Sequence, residues 1–220
     1  MLTSNPGAIR IIDSEADLEE GLAYLAEREP RFRAIMSSTG RPALRRSPAG
    51  LPALLRIVTD QMISLRAAEA IWVRIERELH PLDPPAILRR RHATLMKLGL
   101  SGAKARTFRA LARAVAEGAL PIATLNDHPD DTAAAKLVAI PGIGIWTAEI
   151  YLLSCLGRSD IWPAGDLALQ AAAAHAFGLN ARPGMRDMLR LAEPWRPWRA
   201  VAARLLWAHY RGLKGLPQAS

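Results

Sequence analysis

The chain has 220 residues, the length of one large domain, and half of them are hydrophobic, so it can bury a core and is not a disordered segment. Basic residues outnumber acidic ones, for a formal net charge of +8. The lysines are Lys97, Lys104, Lys136 and Lys214 alone, so arginine carries the excess. Arginine suits bidentate phosphate contacts, and a nucleic-acid partner competes with plain solubility as the reason for the charge. The single cysteine, Cys155, excludes an internal disulfide and any four-cysteine zinc or iron–sulfur site. It stands in the apolar run Tyr151 to Leu156 and reads as a core residue rather than a nucleophile. Met1 to Arg10 lacks the basic-then-apolar pattern of a secretion signal, and no apolar run approaches the ~20 residues of a membrane span. These features point to a soluble intracellular, cytoplasmic protein.

Strand signals are nearly absent, and alanine, leucine and arginine favour helix. Asp13-Ser14-Glu15 predicts a cap for a helix reaching about Glu29 and stopped by Pro30. A short helix is expected over Arg31 to Ser38, then loop to Gly50. Leu54, Leu55, Val58 and Met62 recur at helical spacing. Ser64 predicts the start of a helix through Leu79, broken by Pro81, Pro84 and Pro85. A short helix is expected over His92 to Leu98. Ser101 caps another through Glu117, with Gly118 closing it. Helices are further expected over Asp130 to Val138, Trp146 to Leu156, Asp166 to Phe177 and Pro197 to Gly212. The sum is an all-α chain of roughly ten helices joined by loops of ordinary length, with a tail no longer than Leu216 to Ser220. The histidines (His80, His92, His128, His175 and His209) show no metal-ligand spacing and read as singles.

The most specific local signal is Leu137 to Ala148, an apolar helix end, the turn Pro141-Gly142-Ile143-Gly144, and a second apolar helix. Gly142 and Gly144 permit positive φ and close backbone approach. The second helix then presents free N–H groups and the positive end of its dipole, a phosphate site that needs no charged side chain. The spacing fits a helix-hairpin-helix motif that binds the DNA backbone through Gly142, Ile143, Gly144, Ile145 and Thr147; a plain turn between helices is the alternative. Downstream, Asp166 opens a helix, where a capping role alone would explain it.

Hairpin and later aspartate together resemble the helix-hairpin-helix superfamily of DNA glycosylases. Three further stretches add to the likeness: Thr59-Asp60-Gln61-Met62-Ile63-Ser64, Leu98-Gly99-Leu100-Ser101 with Lys104, and Trp195-Arg196-Pro197-Trp198-Arg199 with Leu206-Trp207. The last is similar to the 3-methyladenine DNA glycosylase II (alkylbase) branch. The resemblance covers about residues 50–210. It implies a multi-helix fold with a cleft between two helical lobes, a glycosylase domain over 51–213 and an N-terminal helical extension over 1–50 packed on it.

The resemblance further implies a monofunctional enzyme that flips alkylated purines of the 3-methyladenine type out of double-stranded DNA and hydrolyses the N-glycosidic bond, starting base excision repair. Asp166 would be the catalytic carboxylate, stabilising an oxocarbenium-like transition state. Met62, with Gln61 beside it, would be the wedge that fills the emptied stack, although its spacing from Leu55 and Val58 equally fits core. Trp146, Trp207 and Trp162 are candidates for the base pocket, where an indole face favours a cationic base; core packing is the alternative for each. Trp72, Trp195 and Trp198 read as structural. Strand-cutting relatives carry a lysine just after the second hairpin glycine, whereas Ile145 and Trp146 follow Gly144, so no lyase activity is expected. The carbonyls of Val138, Ile140 and Ile143 would hold a monovalent or divalent cation; no cofactor is required and no iron–sulfur cluster is expected. Lys104, in the first turn of a helix whose Arg106, Arg109 and Arg113 share a face, is a candidate phosphate contact. A monomer working near the nucleoid is expected. The competing readings are a non-catalytic DNA-binding module and a glycosylase for oxidised or mismatched bases.

Overall fold

The computed structural model describes residues 9–216. Most of the stretch read for a secretion signal (residues 1–8) and most of the tail (217–220) lie outside the described residues. Within them the chain forms helices and no strand, with one isolated antiparallel bridge between Ile11 and Arg158. The helices are α1 (Glu15–Arg28), α2 (Arg31–Thr39), α3 (Leu51–Asp60), α4 (Leu65–Glu78), α5 (Pro84–Leu88), α6 (His92–Lys97), α7 (Gly102–Ala116), α8 (Asp130–Val138), α9 (Ile145–Ser154), α10 (Leu167–Ala176), α11 (Met185–Ala192) and α12 (Arg199–Leu213). None is long and apolar enough to cross a membrane.

Contacts divide the chain into two units. One joins residues up to Arg46 with residues from Gly157 onward; the other is Ser47–Leu156. The sequence reading instead draws its line at residue 50 and runs one domain on to 213. In the structure α1 and α2 pack on α12, so the N-terminal helices and the C-terminal helices share one core.

In that first unit α12 is the central helix, with Ala200 to Ala203, Leu205, Leu206 and Ala208 all buried. Small residues let neighbours come close. A Cβ on Gly21 of α1 would lie 2.7 Å from Val201 and 2.8 Å from Trp198. Alanine-rich α10 packs on α12 in the same way, burying Ala172 and Ala173. An aromatic cluster of Phe32, Phe177, Trp162 and Trp195 fills the space beside them at centroid distances of 5.0–5.9 Å.

The second unit is built on α3, α7 and α9. α3 packs on α7 and α9, with Leu54, Leu55 and Val58 of α3, Ala105, Phe108 and Leu111 of α7, and Ala148, Tyr151 and Leu152 of α9 all buried. The Tyr151 hydroxyl accepts the Gly50 N–H at 2.9 Å, and burial pushes its pKa up to about 12. Serine and aspartate caps start the helices where the sequence puts them. Ser14 forms a full capping box with Asp17, and Ser64 and Ser101 cap α4 and α7. α5 and α11 are absent from the sequence reading. Pro84 and Pro85 read as breakers, yet they occupy the first turn of α5, where a missing N–H costs nothing, with Asp83 accepting Ala86 N–H at 2.7 Å.

Candidate functional site

The hairpin lies in the second unit. α8 ends at Val138 and α9 begins at Ile145, and the Ile143 N–H donates to the Ile140 carbonyl at 3.0 Å inside the turn. The two glycines do different things. Gly142 has φ +91°, and a Cβ there would sit 1.9 Å from the Thr107 hydroxyl of α7, so it is a packing glycine in a left-handed position. Gly144 corrects the sequence reading: it is extended (φ −89°, ψ 170°), and nothing lies within 4 Å of where its Cβ would be. It caps α9 with no side-chain acceptor, so the positive end of that helix begins beside a residue with no side chain to cover it. Ile145 is exposed and Thr147 buried. Trp146 is half-buried.

The segment after α3 is in the same unit. α3 stops at Asp60, two residues before the apolar spacing expected to include Met62. Met62 is instead 98 % exposed at φ +56°, a left-handed conformation that costs a non-glycine residue about 1–3 kcal/mol. Its core alternative is therefore excluded. Ile63 and Leu65 beside it are also exposed. The Gln61 amide donates to the Thr147 hydroxyl at 2.6 Å. Lys104 Nζ donates to the carbonyls of Thr59 at 2.8 Å and Gln61 at 2.6 Å, so two of its three N–H groups are committed inside the protein. Burial lowers the Lys104 pKa, opposed by the nearby Asp60 carboxylate. Asp60 is itself shifted up by burial, against its bonds to Arg56. Arg109, one of the three arginines on the α7 face, turns inward to the carbonyls of Leu88 and Arg90.

Asp166 lies in the first unit as the N-cap of α10. Its Oδ1 accepts Leu169 N–H at 2.8 Å and the Trp207 indole N–H at 3.2 Å. The two donors fix one carboxylate oxygen. Asp166 is half-buried between exposed Gly165 and Leu167, with the Met185 methyl 3.3 Å from a Cβ position on Gly165. Trp207, half-buried, is thus joined directly to the carboxylate. Trp162 differs from its expected pocket place: it is 3 % exposed, stacked edge-on against Trp195, and its N–H is spent on the Met188 carbonyl at 3.0 Å. It is core. Trp72, Trp195 and Trp198 are buried, as the sequence suggests. His175 and His209 are not singles. Their ring nitrogens meet at 3.0 Å on α10 and α12, a pairing that sequence spacing could not signal.

A family model described as "HhH-GPD superfamily base excision DNA repair protein" matches residues 55–197, a span holding Met62, the hairpin and Asp166 but ending before Trp207. The chain is 26 % identical over 203 residues to the alkylbase DNA glycosidase-like protein mag2 of Schizosaccharomyces pombe, covering 89 % of this chain and 95 % of that one. The DNA-3-methyladenine glycosidase of Bacillus halodurans superposes with a TM-score of 0.78 at 26 % identity, covering 96 % of each chain. The fold also matches the S. pombe 3-methyladenine DNA glycosylase Mag1, solved in complex with abasic DNA, with a TM-score of 0.81 at 24 % identity, over 91 % of this chain and 99 % of that one.

Proposed function

The chain belongs to the HhH-GPD superfamily of base excision DNA repair proteins, and on that premise we propose that it is a monofunctional DNA glycosylase for alkylated purines of the 3-methyladenine type in double-stranded DNA. The observation that carries this reading is Asp166, an aspartate at a helix start whose Oδ1 is held by a backbone N–H and by the Trp207 indole. Backbone binding alone would need neither group. The relatives named for alkylbase or 3-methyladenine glycosylases support the substrate class.

Hydrolysis adds water to the sugar C1′ while the bond to the base nitrogen breaks and the base leaves with that electron pair. A cationic alkylated purine is a good leaving group and needs little proton donation. The remaining demand is stabilisation of the oxocarbenium-like sugar, which a fixed carboxylate meets. Asp166 does this and orients the water. Trp207 keeps the carboxylate in place and offers an indole face to the extruded base. Met62 enters the stack that the base vacates. The N–H groups at the start of α9 take a backbone phosphate. Carbonyl oxygens suit hard cations, and those of Val138, Ile140 and Ile143 would hold one whose charge neutralises that phosphate; the Ile140 oxygen has a lone pair beyond the one given to Ile143 N–H. No amine follows Gly144 in the sequence, and the Lys104 amine is engaged on two carbonyls, which supports hydrolysis without strand cleavage.

The experiment is incubation with methylated duplex DNA and chromatography of the released bases. Free 3-methyladenine with an intact abasic strand is the expected product. No free methylated base, with duplex binding retained, would overturn this reading in favour of a binding module or a glycosylase for other bases.

A further inference from the structure

We propose that Lys104 is a positioning residue for the wedge, its ammonium holding the end of α3 so that Met62 stands clear of the protein before DNA arrives. The proposal rests on the reading of Met62 as the wedge. The last carbonyls of a helix have no partner within it. At the end of α3 the Lys104 ammonium, reaching from the first turn of α7, takes the carbonyls on either side of Asp60, those of Thr59 and Gln61. Gln61 is then fixed a second time, through its side chain, to Thr147 of α9 at 2.6 Å, and Thr147 is itself buried. Met62 is the next residue. With its neighbour pinned from α7 and from α9, it takes φ +56° and projects 98 % exposed.

An exposed methionine on a loose loop would fold back onto apolar surface, because burial of its side chain is favourable. The two ties oppose that collapse. Thr147 lies three residues after Gly144, so the same ties fix the wedge relative to the start of α9. A lysine suits the task, since a compact ammonium with three donors can serve two diverging carbonyls. Burial lowers the Lys104 pKa, as expected of a cation drawn in toward the chain rather than held out to solvent.

The test compares Lys104→Met, Met62→Ala and the double variant. Each is titrated by fluorescence anisotropy against an intact duplex and one carrying a tetrahydrofuran abasic analogue, with 2-aminopurine opposite the lesion to report unstacking. Folding is checked by circular dichroism at the assay temperature. Lys104→Met is expected to reduce the preference for the abasic duplex by roughly tenfold, the loss of two charge-assisted bonds, and to blunt the 2-aminopurine signal while intact-duplex affinity stays the same. The double variant should lose no more than Met62→Ala alone, since both act through one side chain. Lys104→Arg, which retains two donors, should restore most of the preference. If Lys104→Met melts below the assay temperature, Lys104→Gln is read in its place.

Equal losses on both duplexes with a shallower salt dependence would make Lys104 a phosphate contact and overturn the proposal. So would additive losses, or an unchanged abasic preference beside a defective Met62→Ala. If Met62→Ala itself keeps the preference, the wedge reading falls and this proposal falls with it.

Discussion

At the scale of single residues the carboxylate of Asp166 carries the most specific expectation. Asn is isosteric and keeps an oxygen for Leu169 N–H and Trp207 N–H, while it removes the charge and turns the second oxygen into an N–H donor. Asp166→Asn should therefore lower single-turnover base release by at least ~100-fold while DNA affinity and melting temperature stay near wild type; a rate within a few fold of wild type would remove Asp166 from the chemistry. The two hairpin glycines give a second expectation. Gly142→Ala places a methyl 1.9 Å from the Thr107 hydroxyl at φ +91° and should destabilise the fold by about 1–3 kcal/mol, seen as a lower melting temperature. Gly144→Leu meets open space in an extended conformation, so it should stay folded, with at most ~1 kcal/mol lost. It should bind damaged and undamaged duplex equally less well, because backbone contacts carry no sequence information. Selective loss of damage recognition would move this turn from the phosphate site to the base pocket. The sequence shows two identical letters in Gly-x-Gly; their separate demands, close approach for one and open approach for the other, arise only from what α7 places beside them. Met62 shows the limit of periodicity: its spacing from Leu55 and Val58 allows a core place, because periodicity reports the face a helix would show if it continued, and α3 ends at Asp60.

At the scale of elements, α10 and α12 are joined twice, by Asp166 with Trp207 and by His175 with His209. Arg31 and Ser38 of α2 line the small cavity of ≈ 210 Å³ beside the histidines. Burial, and then the neighbouring His175, hold the His209 pKa below its ordinary value of 6.5. A histidine depressed in the fold binds its proton more readily when unfolded. Its contribution to stability is thus complete above the unfolded value and is lost as pH falls through the lower folded one. The melting temperature should drop between about pH 7.5 and pH 5.5, and His209→Gln should flatten that slope; an equal slope in the variant would assign the dependence elsewhere. Long amphipathic helices with serine caps, such as α1, α4 and α7, were legible because cap and stripe agree. α11 was not: Arg186, Asp187 and Arg190 interrupt its short apolar pattern, Met188 and Ala192 alone are buried, and contacts from elsewhere in the chain decide its state.

At the scale of the whole molecule, the arginine count overstates the cations that DNA would meet. Arg56 is tied to Asp60 and Glu69, Arg199 to Asp160, Arg196 to Asp160 and Glu193, and Arg31 to Glu29. Arg204 is buried, with its pKa lowered to about 10 by desolvation and by Arg46 and Arg45. Arg74 and Arg109 serve backbone carbonyls. These cations hold the fold, and only the remainder can displace counterions from DNA. Binding should therefore weaken with salt less steeply than a count of arginines implies, with a log–log slope corresponding to roughly 3–5 phosphates. The hairpin adds a sharper expectation. On the proposed reading its phosphate ligands are neutral N–H groups after Gly144, so Gly144→Leu should lower affinity at every salt concentration and leave the slope unchanged. Replacing an exposed basic residue that touches phosphate would instead reduce the slope by about 1. Titrations of both proteins from low to physiological salt separate these outcomes. Parallel lines displaced in affinity would support a backbone phosphate site at the start of α9, whereas lines that converge at high salt would mean that the substitution acts by displacing a charged side chain, and that the hairpin N–H groups do not hold the phosphate.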